Sequence, residues 1–517
     1  VSFDMEALAK EVASARSSNL VLLGAASPFI DIEPEKIEEA VRALFIPKGE
    51  KIVEANIAAF RAGRERALEI KKYCLTSQSL TMFPIDKETF DAVVRRLMIM
   101  DLGSATIRQI CTLAGEIERE AGEPMVHLEI GNPGLDAERV GVEAEIRALE
   151  GGVANKYPAI QGIPELKLAG SEFIKAFLDV DMPGKCVIPT VGSMQGSFTL
   201  QLLLAQRIPG KDRMLFINPG FPAHITQAKV LGIKTEQFDI YRYRGEALEA
   251  KLEEILSKGD ITAMLYSNPN NPAWTNLTET ELEIIGRLAT KYDCIVLEDL
   301  AYFGMDFRQD VSRPGEPPFG ATVARYTDNY ILMLSGSKIF SYAGQRIALV
   351  CIGPEVYDRR YDFFEKFYEM PAFGDAYIFG VLYCASSGTS HSAQHAMAAM
   401  LSAAARGELK FIDHCSEYGR RAEIVKKIFT DNGFHIVYDM DGDSPIADGF
   451  FFTIGYPGMS GVELQQELIR YGVSSISLVS TGSEQPGIRA CVSMISDQDS
   501  FDRLERFLKK FNEDHRK

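Results

Sequence analysis

No two cysteines in this sequence are spaced as a CxxC pair. The eight lie scattered at 74, 111, 186, 294, 351, 384, 415 and 491, which excludes a zinc ribbon and a dithiol redox motif. Isolated thiols suit a reducing compartment, so a cytoplasmic protein is expected. Apolar runs long enough to cross a bilayer, about 20 residues, are absent, and no membrane partner is expected. Basic residues are outnumbered, 55 against 72 acids, for a net charge of −17. That balance opposes a nucleic-acid surface. The opening VSFDMEALAKEV begins without Met and lacks the basic-then-apolar order of a signal peptide. Tryptophan occurs once, at Trp274.

What is present is the composition of a globular enzyme, 46% hydrophobic and 25% charged. A chain of 517 residues is too long for one core. From about 150 to 360, short apolar runs alternate with helix-like stretches. The runs are Cys186–Ile188, Met214–Ile217, Ala263–Tyr266, Cys294–Leu297, Tyr330–Leu334 and Ile347–Ile352. In 278-TETELEIIGRLATKYD-293, Thr278 and Glu281 form the capping-box pattern. Alternation of this kind predicts an α/β fold with a mostly parallel sheet, ligands gathering at the carboxyl ends of its strands. After about 390, long helical patterns lead to short strands at 434–438 and 450–454 and a helix over about 499–513, a smaller α+β domain. The expected division is an N-terminal extension over 1–75, an arm and the first part of the small domain over 76–150, a large domain over 151–365, and the rest of the small domain over 366–517. Within the extension, Leu20–Ala25 reads as strand-like and 35–45 and 51–70 as helical.

Four motifs fall after the apolar runs. The stretch 192-GSMQGS-197 is either a turn with a helix cap or a small-residue cradle whose backbone N–H groups face a phosphate. In 267-SNPNNPAW-274 the Asn and Pro crowding marks a turn, or an Asn aimed at a ligand oxygen. In 298-EDLAYFG-304 two carboxylates end a strand, with Tyr302 three after Asp299. Such an acid caps the next helix or pairs with a cationic ring nitrogen. In 335-SGSKIFSYAGQR-346, Lys338 stands among small residues. Burial lowers a lysine pKa and makes its amine a nucleophile, while Ser335 and Arg346 suit a phosphate dianion. Together the four supply what pyridoxal phosphate requires: an amine, an acid for the ring nitrogen and a phosphate cup. His391 and His395 stand four apart with no carboxylate or cysteine pattern beside them, so no metal is expected.

In the order and spacing of SxxK with Arg eight later, NPxNP and DxxY, the region from about 97 to 513 resembles the class I/II aminotransferases of fold-type-I pyridoxal-phosphate enzymes. The resemblance implies a large domain with a mostly parallel sheet, a smaller α+β domain, and pyridoxal 5'-phosphate as cofactor. It makes Lys338 the aldimine lysine and proton shuttle, and Asp299 the partner of the pyridine nitrogen. Asn271 and Tyr302 would bond the ring oxygen, and Ser193, Met194, Ser335 and Arg346 the phosphate. Phe221, in 218-NPGFP-222, would stack on the ring. Tyr157 would reach the cofactor of a partner subunit, implying a homodimer with shared sites. Arg489 would bind the substrate carboxylate, and Gly131 would line the substrate pocket beside Asn271. Amino acids and 2-oxo acids are the implied small-molecule partners, exchanged by a ping-pong mechanism. Where the family often has Thr-Gly after NPxNP, this chain has Ala273-Trp274, with Trp274 either buried support or pocket wall. The aromatic run 359–380 matches no pattern of the family, and either shapes the pocket or packs the domain junction.

Residues 19–68 lie outside that pattern. Through Asn19, Gly24-Ala25 and Asn56-x3-Phe60-x2-Gly63 they resemble the C-terminal part of the gamma-type domain of 2-oxoacid:ferredoxin oxidoreductases, especially the indolepyruvate type. That implies a link between deamination and 2-oxoacid oxidation, and favours aromatic amino acids. Decarboxylases and β-lyases share the cofactor residues, so the reaction type stays open between them and transamination. A non-catalytic cofactor-binding sensor needs a basic winged helix-turn-helix ahead of the domain, which residues 1–96 do not show.

Overall fold

The computed structural model describes residues 4–30, 32–76 and 83–516, with the backbone alone over 70–76. It comprises two units, Val1–Met82 and Phe83–Lys517. The expected boundary at 75/76 abuts residues 77–82, which lie outside the described residues.

The first unit is helical: α1 (Met5–Val12), α2 (Ser18–Ala26), α3 (Pro34–Phe45) and α4 (Glu50–Thr76). Ile37 and Val41 of α3 pack against Val53, Ile57 and Phe60 of α4. The strand expected at Leu20–Ala25 is corrected to a helix, α2. A short apolar run carries no period of its own, and here backbone contact decides. A Cβ added to Gly24 would fall 1.9 Å from the Phe60 carbonyl oxygen, and one added to Gly63 2.0 Å from that of Val21. Two glycines therefore let α2 lie directly on α4. Asn56, between them in sequence, accepts from Ser17 Oγ at 3.1 Å and donates to Ile52 O at 2.9 Å.

In the second unit a short strand β1 (Val126–His127) pairs in parallel with Val473–Ser474. A seven-stranded sheet follows: β2 (Val187–Val191), β3 (Arg213–Asn218), β4 (Lys234–Asp239), β5 (Ile261–Ser267), β6 (Ile295–Asp299), β7 (Tyr330–Ser335) and β8 (Ile347–Ile352). Its order is β2-β8-β7-β6-β5-β3-β4. Only β8 runs against its neighbours. The mostly parallel sheet expected from the sequence is present, and six of its strands lie on the six apolar runs. The seventh, β4, is a polar edge strand buried only at Phe238 and Asp239.

Both faces of the sheet are covered, which is why its strands read as continuous apolar runs. Ile295, Leu297, Ile331 and Met333 point to one face. Val296, Tyr330, Leu332 and Leu334 point to the other. The aromatic run at 359–380 covers the first face: Tyr361, Phe364, Phe373 and Tyr377 pack with Met214, Leu265 and Val350. The helix Glu279–Lys291 carries the expected capping box at Thr278 and Glu281. The helices His391–Ala405 and Phe411–Asp431 lead to a four-stranded antiparallel sheet, of which Phe451–Gly455 and Ile488–Cys491 form the centre. The helix Gln498–His515 follows. Among the described residues no helix is long and apolar enough to cross a membrane, and no cluster of three metal-ligating side chains occurs.

Candidate active site

Strand register gathers the sequence motifs at one end of the sheet. Val191 of β2 pairs with Ile347 of β8, and Ser335 of β7 with Ala348. The segments bearing Ser193, Met194, Ser335 and Arg346 are thus neighbours. Gly192 opens the helix Gly192–Leu204 and donates its N–H to Arg346 O at 2.9 Å. A Cβ on Gly192 would come within 2.5 Å of Arg346 Nη2, so the guanidinium lies against the amide end of this helix. Helix amides and a guanidinium side by side form an anion site. Ser335 is buried, its Oγ accepting from Ser337 N at 3.2 Å.

Two strands along, Asp299 ends β6 opposite Ser267 of β5. It is buried, and its Oδ1 accepts from Ala301 N at 3.2 Å. Its Oδ2 lies 4.0 Å from His224 Nε2, beyond hydrogen-bond range. Burial pushes the Asp299 carboxyl up to about 7 and the His224 imidazole down to about 4. Phe221 is half-buried and meets the His224 ring edge-on at 5.4 Å. Asn271 Nδ2 donates to Tyr302 Oη at 3.3 Å, both residues buried.

Lys338 follows β7 on a short helical turn, its Nζ donating to Gly131 O. The amine also lies over the Phe450 ring at 5.2 Å. Burial pulls its pKa down to about 8, with Arg489 and Arg346 pulling the same way against Cys491. Arg489 is buried, with its guanidinium over the Phe451 ring at 4.6 Å. Its Nη2 donates to Glu129 O, Nη1 to Asn271 Oδ1 at 3.5 Å, and its Nε has no partner among the described residues. Gly131 sits between: a Cβ there would be 3.6 Å from Phe451 and 3.9 Å from Lys338 Nζ.

Lys338, Gly131, Asn271, Tyr302, Arg489 and Phe451 therefore form one connected group, and Arg346 lies within electrostatic reach of Lys338. Tyr157 is not among them; it is 94% exposed on its own chain. Trp274 is fully buried behind the group, its ring edge-on to Tyr302 and Phe451 at 5.6 and 6.2 Å, which makes it buried support. Sequence reasoning missed His224, Phe450 and Phe451. His224 had a signal, three residues past Phe221 on the first turn of a helix after β3. Among the described residues the arrangement fits pyridoxal phosphate on four counts: an anion site, a buried acid with one oxygen not hydrogen-bonded, an amine of lowered pKa, and a guanidinium with a bare N–H.

Comparison with known proteins agrees. Residues 123–506 match the family Aminotransferase class I and II, and residues 1–66 match Pyruvate ferredoxin/flavodoxin oxidoreductase. A probable aspartate aminotransferase of Methanocaldococcus jannaschii is 24% identical over 372 residues, 71% of this chain and 88% of the relative. An asparagine–oxo-acid transaminase of Streptococcus mutans is 26% identical over 242 residues, 46% of this chain and 58% of the relative. In fold, the chain resembles a double mutant of Thermus thermophilus aspartate aminotransferase with a TM-score of 0.63 at 20% identity, covering 81% of this chain and 98% of that one. With well over half its length inside the family match, the chain belongs to the class I and II aminotransferases, fold-type-I enzymes that work with pyridoxal phosphate.

Proposed function

We propose that the chain transfers the amino group of an aromatic L-amino acid to a 2-oxo acid by a ping-pong mechanism, the first product leaving before the second substrate enters. The observation that carries this reading is Lys338: a half-buried amine, lowered to about 8, set against Gly131 within the Asn271–Tyr302–Arg489 group. Pyridoxal phosphate, when bound, supplies an electron sink that weakens the substrate Cα–H bond. Lys338 Nζ is the base that takes the Cα proton, and its pKa suits neutral to mildly alkaline pH. Asp299 would hold the ring nitrogen in its charged form, and Asn271 and Tyr302 the ring oxygen. Ser193, Met194, Ser335 and Arg346 would hold the phosphate, and Phe221 the ring face. Arg489 binds the substrate α-carboxylate, its Nε free to donate.

Relatives are named for substrates as different as aspartate, asparagine and nicotianamine, so the wall of this site is the better guide. Phe451 packs edge to face with both Tyr302 and Phe450, and these three rings surround Lys338 and Arg489, which suits an aromatic side chain. Tyr157, exposed alone, would complete the site of a second copy, giving a homodimer. Seven cysteines are free among the described residues, in keeping with the cytoplasm. The match over residues 1–66 supports a link to oxidation of the 2-oxo acid product. The test is the visible spectrum of the cofactor-loaded protein, titrated with single amino acids. Phenylalanine, tyrosine or tryptophan should convert it to the amine form, and a 2-oxo acid should restore it. Release of carbon dioxide, ammonia or a β-fragment would instead mean a decarboxylase or lyase. A protein that takes up no cofactor would overturn the reading.

A further inference from the structure

Just past β1, the chain buries an acid that the site described above does not use. Glu129 is 0% exposed. Its Oε1 lies 2.9 Å from His127 Nδ1, and its Oε2 has no hydrogen-bond partner among the described residues. The far side of the His127 ring faces Glu118, with Nε2 3.6 Å from Oε2, and the His127 side chain keeps 29% exposure. Solvent protons therefore reach the ring. On the inner side, the Glu129 carbonyl accepts from Arg489 Nη2. The Glu129 carboxylate acts on the Arg489 charge without forming an ion pair to it. Charges of alternating sign thus run from solvent to the site: Glu118, His127, Glu129, Arg489.

Few other titratable groups face this row. Cys111, on the helix Ile107–Ala121, is pushed up to about 11 by burial and by Glu129, so it stays neutral. Across the strand pair, His127 is opposite Ser474, which carries no charge. Lys338, Tyr302 and Cys491 face Arg489 from the cofactor side, with Tyr302 and Cys491 held neutral by burial.

We propose that Glu129 is a positioning residue for the substrate α-carboxylate: acting through Arg489, it weakens carboxylate binding when its charge is bare, and a proton on His127 relieves this. The inference rests on Arg489 being the carboxylate ligand. A buried anion beside a buried cation takes up part of the cation's field, and an incoming carboxylate competes for the same field. An imidazolium against Oε1 cancels most of the Glu129 charge and frees Arg489 for the ligand. The hydrogen bond to Glu129, and the charges of Glu129 and Glu118, raise the proton affinity of His127 above that of a free imidazole, against the opposing pull of burial. By reciprocity, carboxylate binding must raise the proton affinity of His127 in turn.

The experiment is calorimetric titration of the cofactor-loaded enzyme with 3-phenylpropionate, a monocarboxylate with no amine to transfer or titrate. Wild-type Kd should rise by about fivefold as His127 loses its proton, the effect of one partly screened charge. Buffers of differing ionisation enthalpy should show a fraction of a proton taken up on binding. Lys338 contributes its own titration to every variant that keeps it, so the readout is the difference between proteins. Glu129→Gln should bind more tightly at high pH, with a smaller pH slope and less proton uptake. His127→Asn, a change at the exposed end of the row, should bind weakly at every pH, at the wild-type high-pH level. If both variants keep the wild-type slope and proton uptake, the proposal is wrong. Arg489→Ala separates the two layers: undiminished binding there removes the carboxylate reading of Arg489 itself.

Discussion

Two half-buried lysines and two buried, adjacent acids are brought to matched chemical states, yet only one of each lies in the candidate site. Burial pulls both Lys338 and Lys167 down to about 8, and pushes both Asp299 and Glu298 up to about 7. Lys167, on the flank of the sheet, donates to the Gln161 and Val187 carbonyls at 2.6 Å each. Glu298 accepts from Tyr266 Oη at 3.2 Å, Thr322 Oγ1 at 2.6 Å and Val323 N at 3.2 Å. Its partners saturate it. Asp299, one residue on and on the opposite face of β6, has one backbone donor and, among the described residues, an oxygen left over. Lys338 has one carbonyl and an aromatic face. A shifted pKa alone marks burial; a shifted pKa with unspent hydrogen-bonding capacity marks a place where a ligand fits.

The largest expected effect tests the lysines. Lys338→Ala should lose at least about 10⁴-fold in turnover, since it removes both the amine and the base, while its melting temperature holds. Lys167→Ala should destabilise the fold by roughly 1–3 kcal/mol through two orphaned carbonyls, with turnover per folded molecule kept. Normal turnover in Lys338→Ala, or a dead but stable Lys167→Ala, would break the comparison. The acids come next. Asp299→Asn should cost on the order of 10²–10⁴-fold in kcat/KM, the range for a group that fixes a proton at the reacting system. Glu298→Gln should stay within about twofold, because it presents the wrong donor to Val323 on the far face. Steady-state kinetics beside thermal melts separates all four.

The same distinction explains what the sequence could and could not tell. Runs such as Tyr330–Leu334 are legible because both faces of the strand are buried, and Ser335 and Lys338 are legible because polar residues follow such runs only where the sheet ends. The polar edge strand β4 has one buried end and no run to read. The α2 segment reads as strand-like in sequence because Gly24 and Gly63, which let it lie on α4 as a helix, are 39 residues apart. Glu298 and Asp299 look alike in sequence, since which face each takes depends on register with β5 and β7. Phe450 and Phe451 come to the site only through the small antiparallel sheet. Long-range pairing, and not local pattern, decides each of these.

Glu298 also gives a pH signature that sharpens the comparison. Its carboxyl is raised when folded, so between about pH 4.5 and 7 the native state holds a proton that the unfolded chain has lost. Stability is then fully present below the unfolded pKa and falls as pH rises through the folded one. The loss from this one group amounts to at most about 3 kcal/mol. Denaturant unfolding of apo wild type and Glu298→Gln across that window should show the wild type losing more stability toward alkaline pH. Asp299 contributes the same slope to both proteins, so the difference isolates Glu298. Parallel curves would mean that its three donors keep Glu298 ionised throughout.

The smallest effect belongs to the single tryptophan. Trp274 is fully buried, and Gly449 lies so close to its ring that a Cβ there would fall 2.2 Å from it. Its Nε1 has no hydrogen-bond partner among the described residues. Trp274→Phe removes packing volume, a cost of roughly 1–2 kcal/mol for a partial large-to-small change, and also removes a buried bare N–H whose desolvation costs roughly 1–3 kcal/mol. The two nearly offset, so the melting temperature should move little. Because the ring backs Tyr302 and Phe451 and does not face the space beside Lys338, KM for an aromatic amino acid should change less than about threefold, the size of a small adjustment in a packed wall. A tenfold rise in KM at constant kcat would instead make Trp274 part of the pocket surface. The unspent N–H would then be a contact waiting for substrate, and it would place Trp274 with Asp299 and Lys338 rather than with Glu298 and Lys167.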